Sequence, residues 1–404
     1  MCLASMAGVL VRPWRLPEAV WSCVGAAILV AAGLVTAPVA FAAVLRGGDV
    51  YLFLTGMMLL SELARREGLF DWLAAHAVGW ARQSPARLFA FVYAIGVAVT
   101  TFLSNDATAV VLTPAVYAVA RKAETDPVPA LFACALVANA ASFVLPISNP
   151  ANLVLYGGHM PPLADWLRAF ALPSVAAISV TFLMLRLVER RRPGGTCRDK
   201  VEAMPLSAGG AISLGGIVAT GIGLLVVSLF DCPLGLPTFL AGAATASILF
   251  ARRPAAVGDT LRSVPWSVLP LVAGLFILVA GLERTGLIGT LAGTLHRGAS
   301  PIVTAAISGT ALAFVSNLVN NLPAGLVASS VIVQAHPPHL VTDALLIGVD
   351  LGPNLSITGS LATILWLTAI RREGEDMTFW RFLKVGAVTM PPALAAALAA
   401  RLLL

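Results

Sequence analysis

Four short polar stretches interrupt otherwise apolar sequence, and their residue types could bind and move a solute. Ser104-Asn105-Asp106-Ala107-Thr108 and Asn320-Asn321-Leu322-Pro323-Ala324-Gly325 each lie between apolar segments. Each is followed, one apolar segment later, by a second break. These are Pro146-Ile147-Ser148-Asn149-Pro150-Ala151-Asn152 and Asp350-Leu351-Gly352-Pro353-Asn354. Broken helices expose N–H groups at one end and C=O groups at the other, and Asn, Ser and Thr side chains extend that array. Irregular backbone at membrane depth survives only inside protein or beside a watery cavity. One such break reads as a kink. Four at matched positions read as one site for a small, polar, hydrogen-bonding solute. The candidate binding residues are Ser104, Asn105, Thr108, Ser148, Asn149, Asn152, Asn320, Asn321, Asn354 and Thr358.

Asp106 and Asp350 are the only carboxylates that the pattern places near the membrane midplane. Acids there are costly and functional by default. Burial favours a neutral carboxyl, which suits a proton-coupling role for both. The competing reading is a fixed, ionised helix cap. Glu62, beside Arg65 and Arg66, reads as an interfacial ion pair. The five cysteines, Cys2, Cys23, Cys134, Cys197 and Cys232, form no CxxC and no metal-ligand spacing. Cys134 reads as a small buried residue within a span. His76, His159, His296, His336 and His339 fall at expected ends or loops, where they would be solvated. No metal site and no cofactor are expected, and the sequence has no GxxxxGK[ST] loop. Transport would be driven by gradients or by a separate ATPase.

The elements that position these residues are membrane spans. Of 404 residues, 58% are hydrophobic and 11% charged, against roughly 25% charged in soluble proteins. A spanning helix takes about 20 apolar residues, and the chain supplies roughly ten such segments. The fold class is therefore an all-α polytopic membrane protein. The net charge of +6 sits in Arg and Lys clusters between spans, as the positive-inside rule expects, and points to no nucleic acid. Met1 to Val11 is apolar but short and lacks a basic n-region. It reads as a truncated span or an interfacial segment rather than a signal peptide.

The landmarks repeat. Gly56, Leu60, Gly68, Leu69, Leu73 and Ala74 recur at constant spacing as Gly274, Leu278, Gly286, Leu287, Leu291 and Ala292. Ser84-Pro85 then matches Ser300-Pro301, Asn105-Asp106 matches Asn320-Asn321, and Asn139 falls opposite Asp350. Asp106 is thereby set against Asn321, so each related pair holds one acid and one amide. The expected organisation is two inverted repeats, each with a re-entrant hairpin and a broken helix. Residues 1–188 hold a hairpin over about 85–121 and a broken helix over about 129–157. A basic linker, 189–207, leads to residues 208–404, with a hairpin over about 301–335 and a broken helix over about 340–370. Arg82 and Arg87 at one end of the first hairpin, and Arg121 and Lys122 at the other, make it enter from the cytoplasm. Arg297 and His336-Pro337-Pro338-His339 leave the second opening to the outside. Transporters of this kind hold their site at the midplane, where discontinuous helices meet. Gly68 to Ala81 and Gly286 to Leu295 read as short amphipathic helices.

These stretches are recognisable. Phe102-Leu103-Ser104-Asn105-Asp106-Ala107-Thr108-Ala109-Val110-Val111-Leu112-Thr113-Pro114 resembles the first hairpin tip of the ion-transporter superfamily, which includes dicarboxylate carriers and sodium/proton antiporters. Asn320-Asn321-Leu322-Pro323-Ala324-Gly325, and the run from Asp350 through Thr358-Gly359-Ser360 to Trp366, resemble the arsenite/antimonite efflux carriers within it. The similarity spans nearly the whole chain and weakens at the N-terminus. It implies a scaffold domain plus a transport domain holding the hairpins and broken helices. It also implies extrusion of trivalent arsenic and antimony hydroxides across a bacterial inner membrane in exchange for protons, sometimes assisted by a soluble arsenite-stimulated ATPase. A homodimer stays open. Arsenous acid, a small triol mostly neutral at pH 7, fits a site of Asn, Ser and backbone groups without thiolates. The alternative is a sodium-coupled carboxylate carrier or a sodium/proton antiporter. A carboxylate carrier would favour added positive charge, and no Lys or Arg stands beside the breaks.

Overall fold

The computed structural model describes residues 16–157, 160–189, 205–230, 232–296 and 300–404. The segment from Met1 to Val11, His159, Arg297, nearly all of the basic linker and the side chain of His296 lie outside the described residues. Among the described residues the regular structure is entirely helical. The first half holds α1 (Glu18–Ala31), α2 (Ala37–Arg46), α3 (Gly48–Arg66), α4 (Leu69–Ala81) and α5 (Pro85–Phe102). It continues with α6 (Asn105–Ala107), a π turn (Thr108–Leu112), α7 (Thr113–Lys122), α8 (Val128–Ala140), α9 (Pro150–Tyr156) and α10 (Leu163–Glu189). The second half holds α11 (Ala208–Ser228), α12 (Gly235–Arg252), α13 (Val257–Ser263), α14 (Val268–Glu283) and α15 (Leu287–His296). It closes with α16 (Pro301–Val319), α17 (Asn321–Ala335), α18 (His339–Leu351), α19 (Leu361–Arg372) and α20 (Phe379–Leu402).

Among the described residues, six helices are long and apolar enough to cross a membrane, or seven if the bent pair α2–α3 counts as one span. The expectation of roughly ten spans counted segments that the breaks cut into short arms. α8 has 13 residues and α9 only 7. α2 was not expected as an element. It meets α3 at a 47° bend where Gly47 and Gly48 interrupt the apolar run.

Local sequence sets the matched starts. Ser84 and Ser300 each cap a helix whose first residue is proline, accepting from Arg87 N at 3.4 Å and Val303 N at 3.3 Å. Gly68 and Gly286, with φ of 75° and 79°, turn the chain into α4 and α15. The packing is paired as well. α3 crosses α12 at Gly56, where an added Cβ would overlap the Thr238 carbonyl. α14 crosses α1 at Gly274, where a Cβ would come 2.9 Å from Ser22 O. Likewise α5 packs on α8 as α16 packs on α18, and α10 lies along α20. α11 stands outside this pairing. α8 is buried all round, as a helix apolar on every face must be.

Arg65, Arg66, Arg253 and Arg372 mark one end of the molecule. Arg66 donates to Asp259 O and Ser263 Oγ, Arg253 faces Glu67, and Arg65 and Arg372 rim a common cavity. This is the cytoplasmic end by the positive-inside rule. Glu62 holds both neighbouring arginines, at 2.6 Å from Arg65 Nη2 and 2.8 Å from Arg66 Nε, as the sequence suggests. His76 is not in a loop. It lies within α4, its Nδ1 2.8 Å from Trp72 O and its ring 4.2 Å from that of Trp72. Cys23, Cys134 and Cys232 are free, and Cys134 is fully buried.

Candidate functional site

The four breaks meet. Asn105 and Asp106, Asn149 and Pro150, Asn321 and Leu322, and Leu361 and Ala362 together line one small void of about 10 Å³. Each pair opens a helix: α6, α9, α17 and α19. The convergence is therefore of four helix N-termini, each carrying unpaired N–H groups and about half a positive charge. Side chains cap all four. Ser104 Oγ accepts from Ala107 N at 3.2 Å, Asn149 Oδ1 from Ala151 N at 3.0 Å, Asn320 Oδ1 from Leu322 N at 3.4 Å and Ser360 Oγ from Thr363 N at 3.1 Å. Asn320 holds φ 74° and ψ 153°, a conformation costing about 1–3 kcal/mol that functional sites retain. Asn321 N reaches across to Gly359 O at 2.8 Å, fixing the second tip against the second broken helix.

The two acids differ. Asp106 is half-buried and faces a cavity of about 780 Å³ that runs from Ser104, Asp106 and Pro150 to Glu62, Arg65, Arg372 and Glu373 at the cytoplasmic end. Asp350 is fully buried behind the void. Its Oδ1 accepts from Asn149 Nδ2 at 2.8 Å, while Oδ2 has no hydrogen-bond partner among the described residues. Asn321 Oδ1, at the void, is also buried without a partner. Such atoms cost about 1–3 kcal/mol each, so a polar occupant would stabilise the site. Asn139 occupies on α8 the place of Asp350 on α18, one residue from the helix end. Its Nδ2 donates to Asn354 Oδ1 at 3.0 Å and Thr363 Oγ1 at 3.4 Å.

The remaining expected residues hold the breaks in shape. Thr108 Oγ1 bonds Thr100 Oγ1 at 2.8 Å inside the first hairpin. Ser148 Oγ accepts from Leu145 N and donates to Thr101 O, both at 3.1 Å. Asn152 Nδ2 is shared among the carbonyls of Ser142, Leu145 and Pro146. Asn354 Nδ2 donates to Leu136 O at 2.9 Å, and Thr358 Oγ1 to Asn317 O at 3.1 Å. These five do not line the void. Ser104 lines the cavity beside Asp106, and Asn320 lies against a neighbouring void.

Two expectations are corrected. Ser104 and Asn320 are the matching N-caps, so Asn105 corresponds to Asn321 and Asp106 to Leu322. The tip pair is acid and leucine, not acid and amide. The sequence sets Asn105 opposite Asn320, but Asn320 is itself a cap, and the cap of the first tip is Ser104, one residue before Asn105. Nor are Asp106 and Asp350 the only carboxylates near the breaks. Glu18, at the start of α1, lines the void beneath Asn320, Leu322 and Pro323. Asn317 was also missed. Its Nδ2 donates to Ala313 O and Gly352 O, and its Oδ1 accepts from Ser356 N and Oγ. An amide three residues before Asn320 in an apolar helix was the available signal.

A second cavity, of about 1090 Å³, lies at the other end, lined in part by Tyr156, His336, His339, Asp343 and Arg401. There Tyr156 Oη donates to Asp343 Oδ1 at 2.6 Å, and Arg401 Nη2 holds Asp343 Oδ2 at 2.7 Å. The bases of the two hairpins therefore face opposite ends while their tips meet, which is the inverted arrangement.

A family model described as Citrate transporter matches residues 6–370. An arsenical pump membrane protein of Yersinia enterocolitica is 30% identical over 85% of this chain and 83% of its own. One of Escherichia coli is 31% identical over the same shares. An uncharacterized transporter of Mycobacterium tuberculosis is 27% identical over 86% of this chain and 84% of its own. Among solved structures, the YdaH transporter of Alcanivorax borkumensis shares the fold, with a TM-score of 0.59 at 17% identity, covering 89% of this chain and 86% of its own.

Proposed function

The chain belongs to the citrate transporter family, as a multi-pass transporter of a bacterial inner membrane with arsenical pump membrane proteins among its relatives, and from that premise we propose that it exports arsenite and antimonite in exchange for protons. The observation that carries this reading is the void where four helix N-termini meet Asp106, with Asp350 one hydrogen bond behind it through Asn149 and no Lys or Arg among the residues lining it. Four N-termini direct partial positive charge at the void, and the carboxyls of Asp106 and Asp350 stand beside it. A neutral hydroxide needs no further countercharge there. A citrate-like polyanion would add charges that no basic side chain at the void meets.

Coupling follows from hydrogen-bond arithmetic. An ionised carboxylate only accepts, and the hydroxyls of arsenous acid can donate to it. A protonated Asp106 becomes a donor and loses part of that capacity. Solute and proton thus compete for the same oxygens, and exchange follows from that competition. Everted vesicles given a pH gradient should accumulate arsenite, and the chain should protect an arsenite-sensitive host. Asp106→Asn should abolish accumulation while leaving the purified protein as stable as the parent, because the Asp106 carboxylate faces the cavity. Sodium-dependent citrate uptake without arsenite transport would replace this reading with the carboxylate carrier that the family description suggests.

A further inference from the structure

The open cavity has a collapsed twin. Phe53, Met57, Ser104, Asp106, Ala107 and Pro150 line the deep end of the cytoplasmic cavity. Their repeat counterparts are Leu271, Leu275, Asn320, Leu322, Pro323 and Leu361, and all six line a separate void of about 10 Å³. The Gly56 and Gly274 crossings and the N-caps of α6, α9, α17 and α19 set this correspondence. Carried toward the surface, it sets Arg65 against Glu283 and Pro114 against Ser330. Arg65 and Pro114 stand in the wall of the open cavity. In the twin, Ser330 Oγ donates to Glu283 Oε1 at 2.9 Å, and Arg46 Nη1 lies 3.8 Å from the same oxygen.

We infer that the chain contains a second solute path between α14 and α17, opening away from the cytoplasm, and that the Ser330–Glu283 hydrogen bond is the latch that holds it shut. The physical contrast between the twins explains which one is open. The open path carries Asp106, Glu62 and Arg65, which favour water. The twin carries Leu322, Ala280 and Glu283 at those places, with Leu271, Leu275 and Leu326 beside them. Its leucines close against each other and exclude water, leaving Glu18 and Asn320 as the polar groups of the void and the Ser330–Glu283 hydrogen bond nearer its mouth. The inference rests on the transporter class and on the repeat, not on the identity of the solute.

Cysteine labelling tests it. All five native cysteines are replaced by alanine, and a reporter is placed by Leu326→Cys in the twin or by Val110→Cys, its counterpart in the open cavity. Right-side-out vesicles are exposed to a membrane-impermeant maleimide. Ser330→Ala and Glu283→Gln should each speed labelling of the Leu326 reporter roughly tenfold, the shift expected when one charge-assisted hydrogen bond is lost from a two-state equilibrium. In everted vesicles the same variants should slow labelling of the Val110 reporter. Unchanged rates at both reporters in both variants would overturn the latch. Labelling of the Leu326 reporter from the cytoplasmic side alone would overturn the second path. Neither readout involves arsenite, so failure of the arsenite reading leaves the test intact.

Discussion

The contact between Asn149 and Asp350 offers a way to separate binding from coupling. Asn149 does two jobs: its Oδ1 caps α9, and its Nδ2 donates to a fully buried carboxylate at 2.8 Å. Asn149→Ser retains a good cap but is too short to reach Asp350. It should cost about 1–3 kcal/mol, the cost of leaving a buried oxygen without its partner. Asn149→Ala removes the cap as well, adding about 1 kcal/mol, for a total of about 2–4 kcal/mol. Asp350→Asn is the complementary change. It keeps an acceptor for Asn149 and places an NH2 where Oδ2 now lacks a partner, at a cost of about 1–3 kcal/mol, but it removes the ability to change charge. Thermal unfolding of the solubilised protein should therefore order the variants Ala, Ser, parent from least to most stable. Arsenite accumulation in everted vesicles should survive in reduced form in Asn149→Ser and vanish in Asp350→Asn. A serine variant as stable as the parent would show that the contact contributes nothing. An asparagine variant that still exchanges arsenite for protons would remove Asp350 from coupling.

Two further perturbations probe the supporting structure. Arg401→Ala leaves Asp343 charged and buried against Tyr156, and should destabilise the protein by about 3–5 kcal/mol by thermal unfolding, whereas a variant melting with the parent would make the ion pair inconsequential. Gly309→Leu should block the α16–α18 crossing, where even a Cβ would lie 2.6 Å from Ala344 O. It should abolish export and lower the yield of folded protein, and normal export would show that the helices can separate without loss.

Much of the scaffold is legible in the sequence because it is local. Ser-Pro before an apolar run starts a helix, a glycine at positive φ ends one segment and begins the next, and Asn or Ser at a break caps the following helix. These rules find both hairpins, both broken helices and the Glu62–Arg65–Arg66 cluster. They fail where the deciding partner is far along the chain. Ser148, Asn354 and Thr358 look like solute ligands in sequence, yet they donate to the carbonyls of Thr101, Leu136 and Asn317, which only the fold brings near. Glu18 looks like an ordinary acidic helix start, and packing sets it under the second hairpin tip. The register error at Asp106 arose because two Asn-containing tips can be aligned in more than one way until their caps are seen.

The sequence alone determined that this is an all-helical membrane protein with a duplicated plan and four polar breaks, because apolar length, charge placement and helix capping are properties of contiguous residues. Tertiary structure decided that all four breaks present N-termini to one point, that Asp106 faces water while Asp350 is buried behind Asn149, and that one of two related paths is open. Those facts depend on contacts between segments far apart in the chain, such as Asn149 with Asp350, 201 residues away, and Asn354 with Leu136, 218 residues away. The two related paths differ in their packing, with Leu271, Leu275 and Leu322 closing one and Asp106 and Glu62 lining the other.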